Sequence, residues 1–432
     1  MILITALAFL FILGFSITIH EFGHFIFAKI FKIPVEKFSL GFGPPVIKKK
    51  IGETDFRIAW IPLGGYVKMA GEEDVDMPFQ KSNVDNTPAP TPNFYDAPLL
   101  HRILVVLSGP LFNIFSGFLV LVLLYLFYGT YVNPHLRIRV EKGSYAEKVG
   151  FQDFDSLISI NNTLLHSWDE LEQFWESNRG NNMTFLLKRK GEIIRIEIPA
   201  MNDSLFLNPY VPPVVGSLKR DGPAYRAGMA FNDTVVKIEG DTIKIWDDFV
   251  ARVRRSKNIP LHIKWLHKGE LKSAIITPVP YYDPILNDTV GQIGIVMPLK
   301  KVYVTPSRAI SMAARRSAEL IYFTLKTFYK LIKGEISRKV LGGPIAIARL
   351  TGESARWGFE SLLSLLSVIS INLGLVNLFP IPALDGGHIL VGVIEAIRRK
   401  RFSKKTRLII QQIGFAIIFL LIIYVTFNDL TR

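Results

Sequence analysis

The sequence predicts a multi-pass α-helical membrane protein with four spans, a small membrane-associated β-sheet and two exported α/β domains. Three observations carry that prediction. The chain has four long apolar runs, basic clusters beside two of them, and a region between the second and third runs that repeats itself. Its 432 residues are 49% hydrophobic and carry a formal charge of +14.

Residues 1–30 form the first span. Met1–Ala28 is almost wholly apolar and exceeds the ~20 residues that one crossing needs. It lacks a basic leader and a small-residue cleavage site, so it reads as a retained helix rather than a signal peptide. The second span is 102–128, the third 361–390 and the fourth 407–428. Asn372, Gly374, Asn377 and two prolines interrupt the third. Such interruption is tolerated only where other helices or a cavity cover the backbone. Residues 31–101 form a cytoplasmic sheet and loop, with strands at Phe38–Gly43, Pro45–Lys50, Phe56–Ile61 and Tyr66–Met69. Met77–Pro98, rich in Pro, Asn and Asp, reads as a mobile loop.

Lysine and arginine fix the orientation. Lys29, Lys32, Lys37 and Lys48–Lys50 follow the first span, and Arg398–Arg401 with Lys404, Lys405 and Arg407 precede the last. The positive-inside rule makes both clusters cytoplasmic, which puts both termini and Thr130–Glu360 on the opposite side. Much of the charge therefore reports topology and contact with anionic headgroups, and no nucleic-acid-binding motif is present. With no cysteine in the chain, disulfides and thiolate metal ligands are excluded.

The exported region repeats at an offset of 78 residues: Gly150 matches Gly228, Asp155 matches Asp233, Trp168-Asp169 matches Trp246-Asp247, and Gly191-Glu192 matches Gly269-Glu270. Strands at Ser156–Asn161 and Thr234–Glu239, short helices at Asp169–Trp175 and Asp247–Val253, and hairpins at Thr184–Pro199 and Leu261–Pro278 fill each copy. Each unit resembles a PDZ domain in the bacterial arrangement, with the first at 131–200 and the second at 211–298. PDZ domains take an extended peptide as an added strand. Residues 305–335 then place Ile310, Ala314, Ile321, Leu325, Phe328 and Ile332 at helical spacing, opposite Arg308, Arg315, Lys326, Lys330 and Lys333. This amphipathic helix either lies on the membrane surface or covers the repeats.

His20-Glu21-Phe22-Gly23-His24 interrupts the first span. On a helix the two histidines, four apart, project from one face, and a glutamate between them is the arrangement of a zinc hydrolase. An acidic side chain inside a bilayer costs about 2.5–3.5 kcal/mol, so its presence there marks function. Zinc needs a third protein ligand, and near the end of the third span Asp385 is the best-placed carboxylate. His388, three residues on, is the alternative.

His-Glu-x-x-His in the first span, Leu384-Asp385-Gly386 in the third and the tandem repeats between them resemble the site-2 protease family of intramembrane zinc metalloproteases. The resemblance extends through Gly41-Phe42-Gly43, Pro62–Met69, Gly109-Pro110, Gly342-Gly343-Pro344 and Asn377–Asp385. It implies one catalytic Zn2+ held by His20, His24 and Asp385, with Glu21 catalytic. It places Asn377, Pro380 and Pro382 at the substrate-binding end of the third span. It also implies a bacterial inner-membrane enzyme with its zinc toward the cytoplasm and its repeats in the periplasm. Single-pass membrane proteins would be its substrates, lipid its surroundings, and nucleic acid no partner. Such substrates include anti-sigma factors already cut outside, and remnant signal peptides, with the PDZ pair as a filter.

In that chemistry zinc activates water and polarises the scissile carbonyl, while Glu21 moves the proton. The cytoplasmic sheet either braces the first span or, as the resemblance favours, accepts unwound substrate along its edge. Gly41, Phe42 and Gly43 would then contact substrate at a turn that permits close backbone approach. Two other functions stay open: a non-catalytic scaffold with structural zinc, and a metal transporter. A structural site has no use for Glu21, and a transporter would spread polar residues over several depths.

Overall fold

The computed structural model describes residues 2–71, 93–201, 207–283, 288–336 and 342–430. Most of the loop expected at Met77–Pro98 lies outside the described residues. Its end holds a short 3-10 turn, Phe94–Asp96, capped by the Asn93 side chain. Contacts divide the chain into two compact units, one of Met1–Tyr128 with Val304–Arg432 and one of Gly129–Tyr303.

The first unit comprises α1 (Ile2–Ile30), β1 (Val35–Ile51), β2 (Thr54–Met69), α2 (Leu99–Tyr128), α3 (Pro306–Ile332), α4 (Pro344–Trp357), α5 (Phe359–Asn377), α6 (Asp385–Arg398) and α7 (Lys404–Leu430). Among the described residues, α1, α2, α5 and α7 are long and apolar enough to cross a membrane. α2 packs against both α1 and α5.

Four sequence expectations are corrected here. The third span is not one helix over 361–390. α5 ends at Asn377, and a new helix starts at Asp385. Pro380 and Pro382 supply no backbone N–H, and each disfavours helical geometry in the residue before it, Phe379 and Ile381. The intervening turn is closed by local bonds instead, Ile381 N–H to the Phe379 carbonyl (2.7 Å) and Leu384 N–H to that of Ile381 (3.0 Å).

The four short strands are two long ones that fold back on themselves. Val35–Leu40 pairs with Gly65–Met69, and Pro45–Ile51 pairs with Thr54–Ala59. Lys37–Leu40 also faces Asp55–Ile58, where both residue numbers rise together. The bend falls where Gly41 and Gly43 adopt φ of 94° and 93°, a region that favours glycine. Gly65–Met69 is thus bonded to a strand on one side, with no strand on the other among the described residues.

The amphipathic helix α3 packs the face its large residues mark only in part, through Ile321 and Phe328. Ala309, Ala313 and Ser317 are buried, whereas Ile310, Leu325 and Ile332 are exposed. Ala313 joins Leu121 and Val122 of α2 and Ile371 of α5 in one apolar cluster. Small residues let helix backbones approach closely, and in a bilayer large apolar side chains are free to face lipid.

The fourth correction concerns the first repeat, which runs past residue 200 because Leu207–Pro209 pairs with Ile138–Val140. α4, which no periodicity announced, has its N-terminus capped from α7. Asp429 accepts hydrogen bonds from the N–H groups of Gly343 (3.0 Å) and Ala346 (2.9 Å).

The second unit holds two four-stranded sheets of matching order. The first runs Thr163–Leu164, Ser156–Ile160, Met183–Arg189, Glu192–Ile198, and the second Asp241–Thr242, Thr234–Ile238, Leu261–His267, Glu270–Ile276. A ten-residue helix accompanies each, Trp168–Ser177 and Trp246–Arg255. Each sheet has its own apolar core, centred on Phe151 and Phe185 in one and on Trp265 and Phe249 in the other. A short ladder between Thr130–Val132 and Lys300–Val302 closes the unit at its two ends.

Candidate metal centre

His20 and His24 stand one helical turn apart on the face of α1 that meets α2. Two glycines allow that meeting. A methyl group on Gly23 would fall 2.7 Å from the Ser108 carbonyl oxygen, and one on Gly109 would fall 2.3 Å from His24 Nε2. Side chains are absent where the helices cross, so the imidazoles occupy the space between them. Both histidines are buried, at 8% exposure each.

The break between α5 and α6 brings the carboxylate. Asp385 begins α6, and its Oδ2 lies 3.1 Å from His20 Nε2 while its Oδ1 lies 3.6 Å from His24 Nε2. The two Nε2 atoms are 3.2 Å apart. His20, His24 and Asp385 therefore offer one ligand atom each within 4.8 Å of one another. Zinc with N and O ligands at ~2.0–2.1 Å in tetrahedral array separates adjacent ligand atoms by about 3.3 Å. The edges of 3.2 Å between the two Nε2 atoms and 3.1 Å from His20 Nε2 to Asp385 Oδ2 match that spacing, and the other carboxylate oxygen, Oδ1, stands 3.6 Å from His24 Nε2. Asp385 Oδ2 is buried without a hydrogen bond of good geometry. The donor set thus suits zinc: two imidazoles, one carboxylate and no thiolate.

Glu21 lies partly buried beside the three. It shares an open cavity of about 260 Å³ with them, with Tyr66, Val67 and Met69 of β2, and with Asn377 and His388. The Val67 backbone N–H is turned toward the Glu21 carboxylate. The Glu21 Cγ stands 3.2 Å from where a methyl on Gly65 would be. Sheet and first span are in contact at the residue between the histidines. His388 lines the cavity but stands outside the three-atom cluster.

The remaining residues marked by the sequence scatter around this centre. Asn377, the last residue of α5, places Nδ2 3.5 Å from His20 Nε2. Pro380 is exposed on the break, and the Pro382 backbone packs where Gly414 of α7 leaves room for it. Gly41 and Gly43 flank the bend of β1. Phe42 stacks on Tyr66 with ring centroids 6.3 Å apart, touching the cavity through that ring. Two groups escaped the sequence reading, Asn113 of α2, 3.3 Å from His20 Nδ1, and the Val105 carbonyl, 2.8 Å from His24 Nδ1. Their separations from the histidines, 93 and 81 residues, hide them from any local motif.

Known proteins bear the same stamp. The sequence profile of Peptidase family M50 matches residues 8–421. Regulator of sigma-E protease RseP of Escherichia coli K12 is 30% identical over 453 residues, covering 98% of each chain. Regulator of sigma E protease of Haemophilus influenzae is 28% identical over 450 residues, again covering 98% of each. A Neisseria meningitidis protein whose name carries the words zinc metalloprotease is 30% identical over 459 residues and 99% of each. The chain belongs to Peptidase family M50 and is a zinc metalloprotease of the membrane.

Proposed function

We propose that this chain is an intramembrane endopeptidase that cuts the spans of single-pass membrane proteins in the bacterial inner membrane. The observation that carries the reading is the convergence of His20, His24 and Asp385 beside Glu21, among helices apolar enough to cross a bilayer. Those three side chains would hold one zinc ion, which would supply Lewis acidity toward the scissile carbonyl and water. Glu21 takes the proton of the attacking water and returns it to the leaving amine nitrogen.

A helical substrate hides its carbonyls in intrahelical bonds and must unwind before attack. The Gly65–Met69 end of β2, which has no second neighbouring strand among the described residues, borders the cavity through Tyr66, Val67 and Met69. We place the unwound segment there as an added strand. Phe42 and its flanking glycines, Gly41 and Gly43, brace Tyr66 from behind. Asn377 faces the segment from the end of α5, with Pro380 and Pro382 shaping the turn beyond it.

The basic clusters support an orientation with the zinc toward the cytoplasm and both termini outside. We read the two sheets of Gly129–Tyr303 as exported PDZ domains that exclude substrates with an intact exported domain. Anti-sigma factors trimmed by an earlier cut are the substrate class that suits relatives named as regulators of sigma E.

Glu21→Gln tests the chemistry. Cleavage of a tagged single-span substrate by the purified variant should fall by about 10²–10⁴-fold. Bound zinc should stay at the wild-type level, because the change removes a base and no ligand. Zinc loss in that variant would make Glu21 a ligand and end this assignment. The filter is tested by joining Val132 to Lys300 through a two-residue Asn-Gly turn, which closes the ladder as a hairpin and deletes both sheets. That variant should cut untrimmed as well as trimmed substrate, and continued refusal of the untrimmed form would remove the filter.

A further inference from the structure

α2 supplies a partner to the far nitrogen of each histidine. The Val105 carbonyl lies 2.8 Å from His24 Nδ1, and the Asn113 amide lies 3.3 Å from His20 Nδ1. A carbonyl only accepts, so His24 carries its proton on Nδ1 and presents the Nε2 lone pair toward Asp385. The same logic at His20 is informative. Its Nε2 is the atom that faces His24 and Asp385, at 3.2 and 3.1 Å. Its Nδ1 must then bear the proton and needs an acceptor.

As placed, the Asn113 side chain turns its NH₂ to that proton, donor against donor. Its Oδ1 is meanwhile buried without a hydrogen-bond partner. Amide oxygen and nitrogen are assigned from the surrounding network, and a half-turn about the terminal bond exchanges them. The exchange gives the orphaned oxygen a donor and the His20 Nδ1–H an acceptor. Asn113 is wholly buried, at 0% exposure. Its own backbone carbonyl is held separately, by the hydroxyls of Ser116 and Ser370 at 3.0 Å each. Its side-chain amide is therefore free for this one task.

We propose that Asn113 is a positioning residue. Its amide oxygen accepts from His20 Nδ1–H and fixes the tautomer and ring orientation that offer Nε2 to the metal. The inference rests on His20 being a metal ligand, as proposed above. Outer partners of this kind change metal affinity by 10–100-fold when removed.

The test uses the full-length protein in detergent with three variants and competition against a chromophoric zinc chelator. Asn113→Leu should bind zinc about 10–100-fold more weakly than wild type. Asn113→Asp, which keeps an acceptor, should stay within about tenfold of it. The visible d–d spectrum of the cobalt(II)-substituted protein should shift in Asn113→Leu and stay near wild type in Asn113→Asp. Wild-type affinity in Asn113→Leu would overturn the proposal, as would an equal fall in both variants, which marks a packing role. His20→Ala separates the two assignments. Loss of zinc affinity there with none in Asn113→Leu sinks this inference alone, while no loss in His20→Ala sinks the ligand assignment as well. Should Asn113→Leu not fold, ¹⁵N spectra of histidine-labelled wild-type protein decide. Zinc on Nε2 with a proton on Nδ1 of His20 is expected, and the opposite tautomer would refute it.

Discussion

Asp385 of the first unit and the buried aspartates of the second are surrounded in opposite ways. In the second unit Asp155 accepts from Gln152 N–H at 2.9 Å and from the Arg189 fork at 2.7 Å on each oxygen. Its counterpart 78 residues on, Asp233, accepts from Ala230 N–H at 2.8 Å and from His267 Nδ1 at 2.7 Å. Both oxygens of each are met by donors. In the first unit Glu395 is closed in the same manner by Arg407, Arg102 and the Phe402 N–H. Asp385 is not. Its neighbours are two imidazole nitrogens that themselves have lone pairs to give, and one oxygen lacks a hydrogen bond. A carboxylate surrounded by donors holds a fold together; one surrounded by other acceptors is arranged for a cation.

That contrast can be broken by substitution. The largest effect is expected at Asp385→Asn, whose neutral amide is a poor zinc ligand. Zinc affinity should fall by more than about 100-fold, beyond the loss of an outer partner, and proteolysis with it. The metal-free protein should unfold at the same temperature as metal-free wild type, because no donor network is lost. Calorimetry with chelator present checks this, and a lower midpoint would put Asp385 with the structural carboxylates. The reverse pattern is expected at Asp155→Asn. Breaking a buried pair costs roughly 3–5 kcal/mol, here read as faster hydrogen exchange across Ser156–Ile160 and Met183–Arg189, with zinc binding unchanged. Asp233→Asn should cost less, about 1–3 kcal/mol, since His267 makes one contact to Asp233 where Arg189 grips Asp155 with two. Equal losses in the two sheets would show that the change of partner between Arg189 and His267 has no energetic meaning.

The sequence made some of this legible and hid the rest for definite reasons. His20 and His24 share a helix face by arithmetic alone, and a lone carboxylate near the end of an apolar run singled out Asp385. The two sheets were readable because their turn glycines, aspartates and tryptophans recur at one offset. Hydropathy was a partial guide at α3, where Ile321 and Phe328 pack inward but Ile310, Leu325 and Ile332 are exposed and Ala309, Ala313 and Ser317 are the buried residues. It also joined α5 to α6, since the residues between them stay apolar while Pro380 and Pro382 break the backbone. Asn113 was out of reach, because it meets the metal centre only through the packing of α1 against α2, elements distant in the chain.

The crossing of α1 and α2 has a consequence for how this protein tolerates change. Gly23 and Gly109 touch neither substrate nor metal through a side chain, yet any replacement drives atoms into Ser108 or into the His24 ring. A saturation scan scored by proteolysis would rank both positions with the ligands themselves. Scored by zinc content, Gly109 variants should part company with Gly23 variants. An added carbon at 109 collides with His24 Nε2, whereas one at 23 meets the Ser108 backbone and pushes the two helices apart as whole bodies.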